Sequence, residues 1–426
     1  MKAAVRCLYP LMTDPQAAAP TMTDRRGWLG VLSVALGSFV LVLSEFLPIG
    51  LLPSIASDLG ISVGTAGLVI VATGLAGAIG APVVTVLTSR VDRRVVLLSL
   101  TVLLVISNVF GAFAPNLAVL LIARLLLGLA IGGFWSIGAG IANRLVHQGA
   151  VIRATSFITA GVSIATVVSL PLGAFVSSVA SWRVAFIIGA GLAAVALVGQ
   201  LILLPRIPSL QRVRFATLGG LLAFPKARIG LIATALAFFA QFSAYTYVAP
   251  YLQDVVKVSP ATITVALLAF GIAGIAGNFI AGYTLSRNLT ATLTVTKAVL
   301  AVSVIALPLL AWSVPGVFAL LVLWGLVWGA LPLGLQTWMS GAAPTASDGS
   351  LALFVTTIQL AIAGGSVVGG AVVTSLGIEV DFFIAGAIAL VAIIVLLSLG
   401  RQRRTVASPT TAATATGATA VPCVAG

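Results

Sequence analysis

The chain has little of what a soluble enzyme needs. Among 426 residues it carries one histidine, His147, two cysteines, Cys7 and Cys423, and nine Asp and Glu side chains. Charged residues make up 7% of the sequence, against about a quarter in a soluble globular protein. Both cysteines lie in the tails, which argues against a disulfide scaffold and against thiol chemistry in the interior. One loop histidine and dispersed acids do not form the His, Asp, Glu or Cys cluster that a membrane-embedded enzyme or a metal centre requires. None of the four lysines follows a glycine as a phosphate-binding loop demands, which argues against an ATP-driven pump. No charged ring or filter sequence suggests a channel. Neither cofactor nor metal is expected.

What the chain does have is apolar length. Hydrophobic residues make up 60% of it and the mean hydropathy is +1.21. Runs of about 20 such residues, enough to cross ~30 Å of hydrocarbon as a helix, recur along it. Reading them between charged or Pro/Gly/Asn breaks predicts an all-α membrane protein of twelve transmembrane helices. They fall over 29–52, 64–88, 95–113, 117–142, 153–177, 183–204, 228–251, 261–284, 291–312, 315–339, 350–374 and 380–399. The first run is too long for a signal peptide and reads as an uncleaved span.

The net charge of +13 tracks one side of this array. With both termini cytoplasmic, eighteen Lys and Arg side chains, from Lys2 to Arg404, fall on the inner side, and only Arg183 and Lys257 on the outer. The basicity therefore predicts orientation in a bilayer and no nucleic-acid partner. The expected organisation is a tail over 1–27, a six-helix bundle over 28–204, a cytoplasmic linker over 205–227, a second bundle over 228–399 and a disordered tail over 400–426.

The halves repeat. At an offset of 197 residues Gly74, Gly77 and Gly80 map onto Gly271, Gly274 and Gly277, and Gly128 and Gly132 onto Gly325 and Gly329. Pro53 maps onto Pro250 and Ser62 onto Ser259. A duplicated six-helix unit with its site between the halves is one architecture of secondary transporters, although each glycine singly suits close helix packing as well.

Specific residues then resemble a family. Ser44-Glu45-Phe46-Leu47-Pro48, continuing to Leu51-Leu52-Pro53 and Asp58-Leu59-Gly60-Ile61-Ser62, is similar to the first-span signature of the drug:proton antiporter branch of the major facilitator superfamily. Within that branch it looks most like bacterial purine ribonucleoside efflux pumps and related sugar-efflux transporters. Arg90-Val91-Asp92-Arg93-Arg94 resembles the loop 2–3 motif, Arg124 with Gly128 the span 4 motif, and Pro171-Leu172-Gly173 part of the span 5 antiporter motif. Ser89 and Asp92 stand where the loop motif has an acid and a glycine, so the gating contact must come from Asp92 or be absent. Leu170 stands where the antiporter motif carries a glycine. The resemblance implies the major facilitator fold, a small-molecule substrate exchanged for protons by alternating access, a monomer in the bacterial inner membrane, and gating residues Asp92, Arg93, Arg94, Pro171 and Gly173. A broad drug or sugar exporter, or an uncoupled facilitator, is the alternative.

Of the nine acids only Glu45 lies well inside an apolar run; Asp58, Asp92, Asp254, Asp348, Glu379 and Asp381 read as loop or span-end residues. A charge in hydrocarbon costs about 2.5–3.5 kcal/mol on insertion scales, so Glu45 needs a cavity, a partner or a proton. Arg124 is the partner expected: it is the only basic residue clearly embedded in the first six spans, both lie seven residues from the same membrane face, ~10 Å deep at ~1.5 Å per residue, and the resemblance implies that spans 1 and 4 both line the central cavity. The pair reads as proton-coupling, or as a static ion pair or an arginine serving backbone carbonyls. Lys297 is expected to snorkel to the cytoplasmic surface. Trp28 and Tyr251 read as interfacial. Candidate substrate contacts are Trp135, Gln241, Tyr245, Tyr247, Trp324, Trp328, Gln336 and Gln359. Aromatic faces with a few amides and hydroxyls suit a planar polar ligand such as a nucleoside, as they do amphiphilic drugs.

Overall fold

A computed structural model of the protein describes residues 24–138, 141–147, 150–208, 224–342 and 347–401. The predicted tails before residue 24 and after 401, and the linker between 209 and 223, lie outside the described residues. Among the described residues, twelve helices are long and apolar enough to cross a membrane. They are α1 (Asp24–Leu59), α2 (Leu68–Leu87, preceded by the helical turn Val63–Ala66), α3 (Arg93–Ala112), α4 (Leu117–Gly138), α5 (Val151–Val179) and α6 (Trp182–Leu203) in the first half. The second half contains α7 (Pro225–Thr246), α8 (Pro260–Arg287), α9 (Leu289–Leu309), α10 (Val314–Ala342), α11 (Ser347–Ser375) and α12 (Ile378–Arg401). The basic end of the bundle carries the start of α1 and the end of α12; Arg183 and Lys257 mark the far end.

Packing repeats between the halves. In the first, α1 lies against α5 and α6, α2 against α4, and α3 against α4 and α6. In the second, α7 lies against α11 and α12, α8 against α10, and α9 against α10 and α12. The halves meet along two seams, α2 with α11 and α5 with α8, which exchange places under the same pseudo-twofold relation.

The repeated glycines explain why the register survives. A Cβ on Gly128 would run into the Thr73 carbonyl and one on Gly132 into that of Gly77, while Gly325 and Gly329 stand in the same way against Phe270 and Gly274. Each partner pair is again offset by 197 residues. These are close helix approaches of the small-residue kind, which substitute for the hydrophobic effect that lipid does not supply between helices. Loop chemistry repeats too. Ser62 Oγ accepts from the Thr65 N–H at 3.0 Å and Ser259 Oγ from the Thr262 N–H at 3.2 Å. Gly60 and its counterpart Lys257 both take left-handed backbone, at φ +63° and +58°. Glycine adopts that conformation freely and lysine does not.

Proline decides the less regular features. α1 runs through Pro48 and Pro53 and so extends beyond the predicted 29–52. A proline lacks the N–H that would pair with the carbonyl four residues earlier, and in a membrane that carbonyl must find another donor. Pro82 in this way frees the Ala78 carbonyl, which accepts from Thr356 Oγ1 of α11 across the seam at 3.1 Å. Span 7 stops at Thr246, short of the predicted 251, and continues as the turn Val248–Pro250 and a π-helical turn, Tyr251–Val255.

Two expectations, for Lys297 and Tyr251, are corrected. Lys297 does not reach the surface: it is fully buried and Nζ has no hydrogen-bond partner. Asp381 does lie at a span end, in the first turn of α12, and is there at 0% exposure. Tyr251 is not at an interface; it is fully buried, donates to the Leu307 carbonyl at 2.6 Å and stacks on Phe382 at 4.7 Å.

Candidate functional site

The centre of the molecule is organised around Ser44 and Glu45. Pro48 removes the N–H that the Ser44 carbonyl would otherwise meet, and Arg124 of α4 replaces it, donating from Nη1 to Ser44 O at 2.9 Å. Its Nη2 donates to the Glu45 carbonyl at 3.1 Å and Nε to Thr73 Oγ1 of α2 at 3.0 Å. Asn108 of α3 donates to Ser44 Oγ at 3.1 Å. Four helices of the first half are thereby pinned at one level. Arg124 and Glu45 do meet at one depth, but the arginine's hydrogen bonds go to two main-chain carbonyls and the Thr73 hydroxyl and not to the carboxylate.

The Glu45 carboxyl looks the other way. It accepts from Gln359 Nε2 of α11 at 3.1 Å, a bond from one half of the molecule to the other. Both side chains are buried, and Gln359 Oε1 has no hydrogen-bond partner. Gly77 of α2 lies flush on the same amide: a Cβ there would come within 3.1 Å of Gln359 Cγ and Cδ. Beside Glu45, Phe46 stacks on Phe242 of α7 at 5.8 Å, and Trp328 meets Phe238 at 5.1 Å and Phe242 at 5.8 Å, edge to face. Phe242 occupies the position equivalent to Glu45, so an acid in one half faces an aromatic wall in the other.

The remaining candidates divide. Gln241 Oε1 accepts from Trp324 Nε1 at 2.7 Å, leaving Gln241 Nε2 buried without a partner. Trp324 and Tyr245 pack with Phe270 inside the second half, behind that wall. Tyr247 is part of the seam: its hydroxyl donates to the Ser366 carbonyl at 2.8 Å and its ring fills the space over Gly369. Trp135 is half-buried against Phe134, and Gln336 is exposed. Phe46, Phe238, Phe242, Asn108 and Thr73 were not among the sequence candidates. Pro48, four residues after Ser44, was the available signal that this level of α1 needs a donor from elsewhere.

The motif residues hold the first half together. Asp92 caps α3 by accepting from the Arg94 N–H at 2.8 Å and also accepts from the Ile207 N–H at 2.9 Å. Arg94 Nη2 donates to the Leu201 carbonyl at 2.7 Å, Arg93 Nη1 to that of Thr88 at 3.4 Å, and the Arg93 N–H to that of Ile207 at 2.9 Å. The loop is thus fastened to the end of α6. Pro171 lies inside α5, and Gly173 lets that helix touch the Leu47 carbonyl of α1, where a Cβ would stand 2.6 Å away. At the far end a cleft of 660 Å3 opens between the halves, bordered by Ser54, Ser57, Asp58, Trp182 and Gln253, with Gly50 on its wall. Glu45 lies five residues further along α1, about 7.5 Å at 1.5 Å per residue. Arg183 braces the cleft by pairing with Asp58 at 2.6 Å and lying over the Trp182 ring at 4.3 Å.

Residues 34–358 match the profile of the Major Facilitator Superfamily. The chain is 36% identical over 88% of its length, and 94% of the relative's, to a protein of Pseudomonas aeruginosa PAO1 named Transcription regulatory protein OpdE. It is 33% identical to the Purine ribonucleoside efflux pump NepI of Escherichia coli O127:H6, over 86% of this chain and 92% of the relative. The crystal structure of a D-xylose-proton symporter superposes with a TM-score of 0.73 at 17% identity, over 87% of this chain and 97% of that one, a likeness of fold alone.

Proposed function

Because the chain belongs to the major facilitator superfamily, we propose that it is a proton-coupled exporter of small polar organic molecules, in the first place purine nucleosides or their analogues. It resides in the bacterial inner membrane as a monomer, with its basic end and both termini in the cytoplasm, and its two six-helix bundles rock about the site between them. The observation that carries this reading is the buried Glu45 carboxyl bonded across the midline by Gln359. A carboxylate at that position accepts from the amide N–H; once protonated it is itself a donor, and the unpartnered Gln359 Oε1 is an acceptor within the same side chain. Proton uptake therefore changes the bonding between the halves, which alternating access requires. Arg124, already engaged with carbonyls, leaves the carboxyl free of a tight ion pair that would hold it ionised.

The aromatic wall of Phe46, Phe242, Phe238 and Trp328 supports a planar ligand, and the NepI likeness supports purine nucleosides as that ligand. The cleft bordered by Ser54 and Ser57 supports release of a hydroxyl-rich molecule at the far end. Cells or proteoliposomes loaded with radiolabelled inosine test the reading directly. Export should collapse on adding a protonophore, and Glu45→Gln should reduce export against a gradient on the order of 100-fold while keeping exchange of internal for external nucleoside. Protonophore-insensitive export would remove the proton coupling. A competition panel that selects sugars or cationic dyes over purines would replace the substrate class.

A further inference from the structure

The second half contains a buried carboxyl that the Glu45 mechanism does not use. Asp381, in the first turn of α12, is fully buried; Oδ1 accepts from Ser243 Oγ of α7 at 2.5 Å, while Oδ2 is buried without any hydrogen-bond partner. No ion pair involves it among the described residues. From α7, Tyr247 is nearby but its hydroxyl is committed to the Ser366 carbonyl; beyond α7, Tyr251 is committed to the Leu307 carbonyl. Glu379, two residues earlier, is exposed. Lys297 of the neighbouring α9 sits about eight residues, ~12 Å, from the basic end of its helix, whereas Asp381 is three residues, ~5 Å, from the far end of α12; the two are therefore separated along the bundle. A buried carboxylate oxygen with neither donor nor cation is satisfied most simply by a proton.

We propose that Asp381 is a second proton-binding site of the transporter, carried by the second half and linked to the seam between the halves. The linkage is structural. Ser243, which holds Asp381, lies three residues before Thr246 on α7 and so on a neighbouring face. Thr246 Oγ1 and Ser366 Oγ of α11 share a hydrogen bond at 2.8 Å, and Tyr247 donates to the carbonyl of the same Ser366. The Tyr247 ring then closes on Gly67 of the first half, where a Cβ would come 2.9 Å from its Cζ. Gain or loss of the Asp381 proton alters its bond to Ser243, and that change reaches α7 at the point where α7 meets both α11 and the first half. The idea extends the proton-coupled reading of Glu45 but stands on separate residues.

Infrared difference spectroscopy of the full chain in lipid, recorded between low and high pH without substrate, tests it independently of any transport assay. Two protonated-carboxyl bands from buried groups are expected. Glu45→Gln should remove one and leave the other; Asp381→Asn should do the reverse. Ser243→Ala keeps the carboxyl but deletes its donor, so the Asp381 band should move to higher wavenumber, a readout that survives if the Asn variant fails to fold. The assignment is overturned if no band responds to either the Asp381 or the Ser243 substitution. Replacing potassium by sodium at fixed pH should leave the Asp381 band unchanged; its loss in sodium would overturn the proton assignment in favour of a metal cation. Transport that proves uncoupled while the Asp381 band persists would defeat the Glu45 mechanism alone.

Discussion

The two halves share a scaffold and differ in their charges. Glycine approaches, serine caps and helix partners coincide at one offset, yet Glu45 and Arg124 of the first half are replaced by Phe242 and Leu321 in the second, both fully buried. The second half buries its own pair, Lys297 and Asp381, at different depths and each with an unpartnered atom. In the first half Arg124, with Asn108, joins four helices at one level, and the Glu45 carboxyl at that level reaches across to Gln359 of the second half. Duplication thus preserved the contacts that set helix spacing, which depend on backbone approach, and released the polar positions, which depend on single side chains.

The largest test of this contrast exchanges stability for coupling. Glu45→Gln should cost little stability but reduce gradient-driven export on the order of 100-fold, which is ~3 kcal/mol at 1.36 kcal/mol per tenfold. Phe242→Ala, at the equivalent position, should destabilise by about 3–5 kcal/mol as a core truncation and leave proton dependence intact. Equal losses of coupling in both variants would erase the distinction between the halves.

Next comes the proline–arginine relation. Arg124→Leu orphans the Ser44 carbonyl, which Pro48 leaves without a helical donor, and removes the further bond to the Glu45 carbonyl; it should cost roughly 3 kcal/mol, seen as a lowered unfolding midpoint in detergent. Pro48→Ala returns an N–H to Ser44, so the double variant should lose less than the sum of the singles; strict additivity would mean the arginine does not replace the missing donor. Gln359→Leu should have a smaller effect, about tenfold on export, or ~1.4 kcal/mol, together with a displaced pH profile, because it removes the bond that crosses between the halves. An unchanged pH profile would separate Gln359 from the proton. The smallest effect concerns the paired left-handed turns. Gly60→Ala should destabilise by about 1 kcal/mol, and Lys257→Gly should stabilise by up to the same amount, both read from thermal midpoints.

Much of this was legible in the sequence for a simple reason. Hydrocarbon tolerates only helices with satisfied backbones, so spans follow from apolar length, and the repeat follows from glycines that no other residue can replace at a backbone contact. Depth along a helix likewise put Arg124 at the level of Glu45, while the expectation that spans 1 and 4 lie side by side came from the family resemblance. What could not be read was direction. Lys297 looked able to snorkel, and the burial of Asp381 at its span end was not visible, because linear distance from a span end does not reveal which neighbours cover that end. Tyr251 misled in the same way.

The primary structure alone therefore determined a twelve-span chain built from two related halves, with an acid embedded in the first. Only the tertiary structure decided that the arginine would serve the carbonyl left free by Pro48, that Gln359 would reach the acid from the opposite half, and that Asp381 would be sealed against Ser243. Apolar length and small-residue spacing are properties of a segment, whereas the partner of a buried polar atom depends on which helices fold against it.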